Sequence, residues 1–167
     1  MASAVACAPA DEIPGVGRRS AEAIVADLGA DVTHFPSAVD AASWTGICPG
    51  NHESAGKRLS GRTWHGNPWL RQTLVESARA ALFKRGSYRH AQYHHLARRR
   101  GDKKAVVAVA HSILVAAYHI LRDDVGYRDL GPHHFDQLRT ARLTHYHTRR
   151  RTELGYTVTL IPVQTAA

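Results

Sequence analysis

The chain is 167 residues long and 44% hydrophobic, with a formal net charge of +8 and a pI of about 10.0. That length fits one domain, or one with a short appendage, and that apolar fraction is enough for a real core. No apolar run of 18 residues is free of charge, the first ten residues lack a positive n-region, and Cys7 and Cys48 are too few for a disulfide framework, which argues against transmembrane, secreted and disulfide-stapled classes.

The expected location is a reducing cytoplasm. The cations lie on glycine-rich loops and helix ends instead of in one polybasic run, which points to nucleic acid and away from a membrane.

Residues 1–11 are small and apolar without periodicity and read as a disordered start. I-P-G-V-G at 13–17 is a tight turn. A helix should begin near Arg18, bury Ala21, Ile24, Val25 and Leu28, and stop at Gly29. A P-G-V-G turn before a helix resembles the hairpin of helix-hairpin-helix DNA-binding motifs. There the N–H groups at a helix start face a phosphate, and Gly15, Gly17, Arg18 and Arg19 are the candidates for that contact.

Ser37 reads as an N-cap for a short helix ending near Trp44, followed by an apolar run buried at Ile47 and Cys48. Residues 51–67 read as a loop, or a loose hairpin around Ser60 and Gly61. Pro68 suits the first turn of a helix that should reach about Lys84 and bury Leu70, Leu74, Val75, Ala78, Ala81 and Leu82. A ring-rich helix spans 88–100, and Asp102 reads as the N-cap of the next. That helix, 103–123, repeats Val106, Val109, Ala110, Ile113, Leu114, Ala117, Ile120 and Leu121 at spacings of 3 and 4. After a turn region comes one long basic helix over 135–153, with Arg149–Arg151 near its end. The segment Leu154–Pro162 alternates like one short strand or an extended tail.

The stretch 44–78 carries the chemistry. Ser54 sits in E-S-A-G-K-R among Lys57, Arg58, Arg62 and Arg71. Phosphoryl transfer needs positive charge around the non-bridging oxygens, and Lys57, Arg58 and Arg62 are close enough in sequence to supply it. A serine hydroxyl also needs activation, and His52 is the nearest group that can shuttle a proton. By residues alone, Ser54 as nucleophile stands beside Ser54 as a turn cap or a phosphate hydrogen-bonder.

Other chemistries fit poorly. Gly50 to Lys57 has one residue too many for a Walker A loop, and Arg58 stands where a hydroxyl should meet magnesium. The histidines at 90, 94 and 95, 133 and 134, and 145 and 147 match no zinc spacing, and no metal ligand is assigned. The acidic residues form no convergent set for a two-metal centre. Trp64 and Trp69 are candidates for base stacking, while Trp44 is expected in the core.

I-P-G-V-G at 13–17, F-P-S-A at 35–38, W-T-G-I-C-P-G-N-H-E-S-A-G-K at 44–57, H-G-N-P-W-L-R at 65–71, the run 99–114 and L-G-Y-T-V-T-L at 154–160 resemble the C-terminal domain of IS110/IS116/IS902-type transposases over about residues 12–162. The resemblance implies that Ser54 is the nucleophile and forms a transient phosphodiester with DNA. It also implies a homo-oligomer and a structured guide RNA as partners. In a complete family member, a RuvC-like N-terminal half holds divalent metal on four acidic residues. That half has no counterpart in this sequence, so Mg2+ is expected only there and no cofactor is expected on this chain.

The expected fold is mainly α: a small helical domain with a helix-hairpin-helix-like N-terminal motif and at most one short C-terminal strand. Residues 12–125 form the helical domain with the serine loop, and 126–167 a basic helix and tail. The expected function is the serine-bearing, DNA-binding part of a transposase, inactive alone. The alternatives are a non-catalytic helix-hairpin-helix DNA-binding module and an RNA-binding structural protein.

Overall fold

The computed structural model describes residues 10–50, 52–138 and 140–161, with residues 52, 53, 58, 59 and 141 described in the backbone only. The fold is mainly α. In chain order come α1 (Arg18–Leu28), α2 (Ala38–Thr45), β1 (His52–Ser54), β2 (Lys57–Ser60), α3 (Pro68–Ala81), α4 (Tyr88–Arg100), α5 (Asp102–Asp123), α6 (His134–Gln137) and α7 (Thr140–Glu153). Two compact units divide this chain, Met1–Pro132 and His133–Ala167.

The first unit is built on α5. One stripe of it, from Ala105 through Val109, Ile113 and Ala117 to Ile120, is buried and packs on α2, α3 and α4, while α1 packs on α3. By length and composition α5 could cross a membrane, but its apolar stripe is taken up by these three helices. Burying each Leu or Ile of the stripe contributes roughly 1.5–3 kcal/mol. Tyr118 is also buried, and its hydroxyl donates to the Phe35 carbonyl at 2.8 Å, tying α5 to the loop before α2.

Side-chain caps account for three of the helix starts. Ser37 accepts from Asp40 N, Ser87 from His90 N, and Asn67 Oδ1 from both Trp69 N and Leu70 N. Asp102 is not the N-cap of α5. Gly101 holds that position at φ +82, and Asp102 lies in the first turn, accepting from the Tyr93 hydroxyl at 2.7 Å. α3 stops at Ala81, short of Lys84, and Val75 and Leu82 are half-buried instead of buried.

α4 also buries a cation. Arg89 is 5% exposed, and its Nη2 donates to the Ser112 carbonyl at 3.0 Å. Burial pushes its pKa down, while Tyr127, Tyr88 and Asp129 act the other way. Residues 126–132 stay with this unit: Tyr127 N donates to Glu12, and Asp129 accepts from Tyr88 N at 2.9 Å.

Several expectations give way. The single basic helix is two helices, α6 and α7, parted near Leu138; Arg139 lies outside the described residues. The segment 156–161 forms no strand, because nothing described pairs with it. The strands lie instead at 52–60, as an antiparallel hairpin. In the second unit no described residue is buried. The disordered start was expected at 1–11; residues 1–9 and 162–167 lie outside the described residues.

Candidate nucleic-acid interface

Residues 46–50 and 52–66 form the two legs of an arm that leaves the helical body after α2 and returns into α3. Its root is a crossing of two glycines. A Cβ on Gly66 would collide with the Gly46 nitrogen and the backbone of Trp44 and Thr45; one on Gly46 would stand 2.8 Å from Gly66 N. Only glycine at both positions lets the legs pass this closely. Further out, Pro49 bridges Thr63 and Gly50 N donates to Arg62 O at 2.9 Å. The register then runs His52 with Ser60, Glu53 with Arg58 and Ser54 with Lys57, with a bulge between the first two pairs.

The turn is Ala55–Gly56, not Ser60–Gly61. Both residues have positive φ, +49 and +73, as a two-residue hairpin turn of right-handed twist requires. Glycine adopts this freely; an alanine there costs about 1–2 kcal/mol. Strain of this size is held immediately beside Ser54.

Ser54 and Lys57 are therefore cross-strand partners at the tip, both exposed. Arg58 lies one rung back and is described in its backbone only, as is His52. Arg62 is exposed on the returning leg, where its N–H donates to Ser60 Oγ at 3.2 Å. Arg71, in the first turn of α3, reaches back so that Nη2 donates to Thr63 Oγ1 at 2.9 Å and braces the arm against the helix. The tip thus stands in solvent on a root that is sterically locked.

The other candidates lie elsewhere. Gly15, at φ +86, abuts α3: a Cβ there would collide with the Ser77 carbonyl and the Ala81 nitrogen. Ser77 and Ala81 are about 9–15 Å along α3 from Arg71 at 1.5 Å per residue, so the 13–17 turn and the arm root occupy different ends of that helix. Gly17 is open, with nothing within 4 Å of an added Cβ, and α1 starts from it without a side-chain cap. Arg18 and Arg19 are exposed there, and Arg18 Nε donates to Glu22 at 3.0 Å. Residues 10–15 are turns, and no helix precedes the hairpin among the described residues.

Trp44 is not in the core. It is 44% exposed, and its ring lies tilted against Phe35 with centroids 5.7 Å apart. Trp64 and Trp69 are exposed on either side of the arm's return into α3. His90 and His94 lie 4.4 Å apart, but His90 Nδ1 is already bonded to Leu82 O at 2.7 Å. Among the described residues no cluster of three or more His, Cys, Asp or Glu side chains is placed to hold a metal ion.

Sequence reasoning missed a second set of cations. Arg100, Lys103 and Lys104, at the α4–α5 junction, share a groove with Arg62. The R-R-R-G-D-K-K run was the available signal, but a charge run on a helix end carries no address until the partner surface is known.

The family described as Transposase IS116/IS110/IS902 matches residues 7–95. A protein of Sinorhizobium fredii (strain NBRC 101917 / NGR234) named "Putative transposase y4pF/y4sB" is 34% identical over 122 residues, covering 70% of this chain and 31% of its own length. The chain thus matches about a third of the length of that relative.

Proposed function

The chain belongs to the transposase IS116/IS110/IS902 family, and on that premise we propose that its arm carries the reacting group of DNA strand exchange, with Ser54 as the nucleophile. The observation that carries this reading is the exposed Ser54–Lys57 pair at a strained turn on a locked root. A nucleophile that must reach into a DNA backbone needs exposure, and one that must meet it in line needs a fixed base.

The step is a transesterification. Ser54 Oγ loses its proton and forms a bond to phosphorus. The bond from phosphorus to one deoxyribose oxygen breaks, and that oxygen takes up a proton. One phosphodiester replaces another, so no oxidant or nucleotide is consumed. Lys57, with Arg58, neutralises charge on the non-bridging oxygens, Arg62 grips the strand further along, and Arg71 positions the arm. Gly17, Arg18 and Arg19 present the start of α1 to a second phosphate. The packing of Gly15 on α3 accounts for that glycine without a ligand. Trp64 and Trp69 offer stacking surfaces for unpaired bases.

A guide RNA, a homo-oligomer and a partner site holding Mg2+ complete the reading. No described cluster on this chain suits that ion, and no step here runs through it. The rival is a DNA-binding module without chemistry, favoured by the open start of α1 at Gly17.

Adduct trapping separates the two. The chain is incubated with element-end DNA, magnesium, guide RNA and a full-length relative whose own serine is replaced, then denatured. A DNA-shifted band of this chain that disappears with Ser54→Ala is expected. DNA binding without any such band would refute the nucleophile and leave the module.

A further inference from the structure

A groove of about 750 Å³ opens between the root of the arm and the α4–α5 hairpin. Arg62 from the arm, and Arg100, Lys103 and Lys104 from the helices, line it, and among the described residues no carboxylate does. None of these four cations takes part in an ion pair among the described residues. Leu96, Val107 and Ala108 supply carbon surface in the same groove. Gln92 lines it too. Its Nε2 donates to Ser112 Oγ at 2.7 Å, but its Oε1 is buried and has no partner. An acceptor left in that state costs about 1–3 kcal/mol until something donates to it.

Cations without counterions ask for a polyanion. Recessed apolar surface and an unused acceptor ask for something with rings and N–H groups. A double helix presents its phosphates outward and keeps its bases stacked within, so it would use the cations and leave the carbon surface and Gln92 empty. An unpaired strand would use all three. RNA recognition relies on polar groups that read the 2′-hydroxyl; the hydroxyls lining this groove, Ser60, Thr63 and Ser112, already accept from Arg62 N, Arg71 and Gln92.

The position along the arm says which part of the strand is held. From Lys57 at the tip to Arg62 at the groove is five residues of near-extended chain, roughly 16 Å at 3.3 Å per residue. One phosphate cannot meet both.

We propose that this groove holds the unpaired DNA strand flanking the phosphate attacked at the arm's tip, with Arg62, Arg100, Lys103 and Lys104 on its backbone and the Gln92 side chain turning out so that Oε1 accepts from a base. The identity of the flanked phosphate rests on the reading of Ser54 given above; the groove's preference for unpaired DNA does not.

The test is fluorescence anisotropy on the 167-residue chain. The probes are a labelled mixed-sequence DNA strand, the same sequence as RNA and the same sequence as a DNA duplex, titrated at several salt concentrations. The DNA strand is expected to bind tightest. Lys103→Ala with Lys104→Ala, both exposed, should lower the salt slope for that strand by about 1.4, at roughly 0.7 per phosphate contact. The same pair should weaken binding on the order of tenfold near physiological salt. Arg100→Ala should give about half that slope change, and Gln92→Leu should weaken binding with the slope unchanged. Circular dichroism checks that each variant is folded. An unchanged slope and affinity in both the lysine pair and Arg100→Ala would overturn the proposal, as would RNA or duplex bound as tightly as the single strand. The adduct assay scores Ser54 separately: tight groove-dependent binding without an adduct sinks the nucleophile alone, and an adduct with no groove dependence sinks the groove alone.

Discussion

Gly15→Ala distinguishes a glycine kept for packing from one kept for a phosphate. At φ +86 an alanine pays the left-handed penalty of about 1–2 kcal/mol. Its Cβ would also collide with the Ser77 carbonyl and the Ala81 nitrogen, which are helix backbone and cannot rotate away. Forcing α1 and α3 apart adds about 1–3 kcal/mol, the usual cost of overpacking. The sum, about 2–5 kcal/mol, is a large part of a typical total of 5–15 kcal/mol. At roughly 2–4 °C per kcal/mol for a chain of this size, a loss near 3 kcal/mol lowers Tm by about 6–12 °C. Gly17→Ala is the control: φ is −91°, nothing lies within 4 Å, and the change should cost under about 1 kcal/mol. Both variants are read by thermal melting followed by circular dichroism, with DNA affinity measured in parallel. A Gly15→Ala chain that melts with the wild type but loses DNA affinity would refute the packing argument and return Gly15 to the phosphate.

The other predictions concern the arm, the core and one histidine. Gly66→Ala should disrupt the crossing with Gly46 and free the arm; limited proteolysis should then cut within 46–66 faster, and adduct yield should fall well below wild type. Tyr118→Phe strands the Phe35 carbonyl and should cost about 1–3 kcal/mol in urea unfolding, with the m-value unchanged. His111 is partly buried, and desolvation holds its pKa below the usual 6.5. In that window the unfolded chain binds more protons than the folded one, so stability is full above pH 6.5 and declines as pH falls toward the folded value. Tm measured from pH 7.5 to 5 should fall with acidity, and His111→Gln should flatten that fall.

Helices came through in the sequence because their signals are local. Spacings of 3 and 4 placed the buried face of α5 from Val106 to Ile120, and Ser37 and Pro68 marked where helices begin. The mainly α class follows from such patterns alone, and the motifs at 44–57 and 65–71 carried the family. The hairpin turn was less legible: a two-residue turn usually announces itself with Asn or Asp before Gly, and here an alanine takes the first left-handed position. The Gly101 cap escaped for a related reason, since Asp102 is an ordinary cap by composition but is held by Tyr93 from another helix.

What tertiary structure alone decided is which residues share a place. Gly15 and Gly17 are two apart in sequence, yet one is pressed against α3 and the other is open, because that depends on a helix more than fifty residues away. Arg62 and Lys104 meet in one groove only because α4 and α5 fold back beside the arm root. Local chemistry is written in spacing and composition. Proximity between distant segments arises from burying the α5 stripe against three other helices, and that packing separates the 13–17 turn from the arm and joins the arm to the α4–α5 cations.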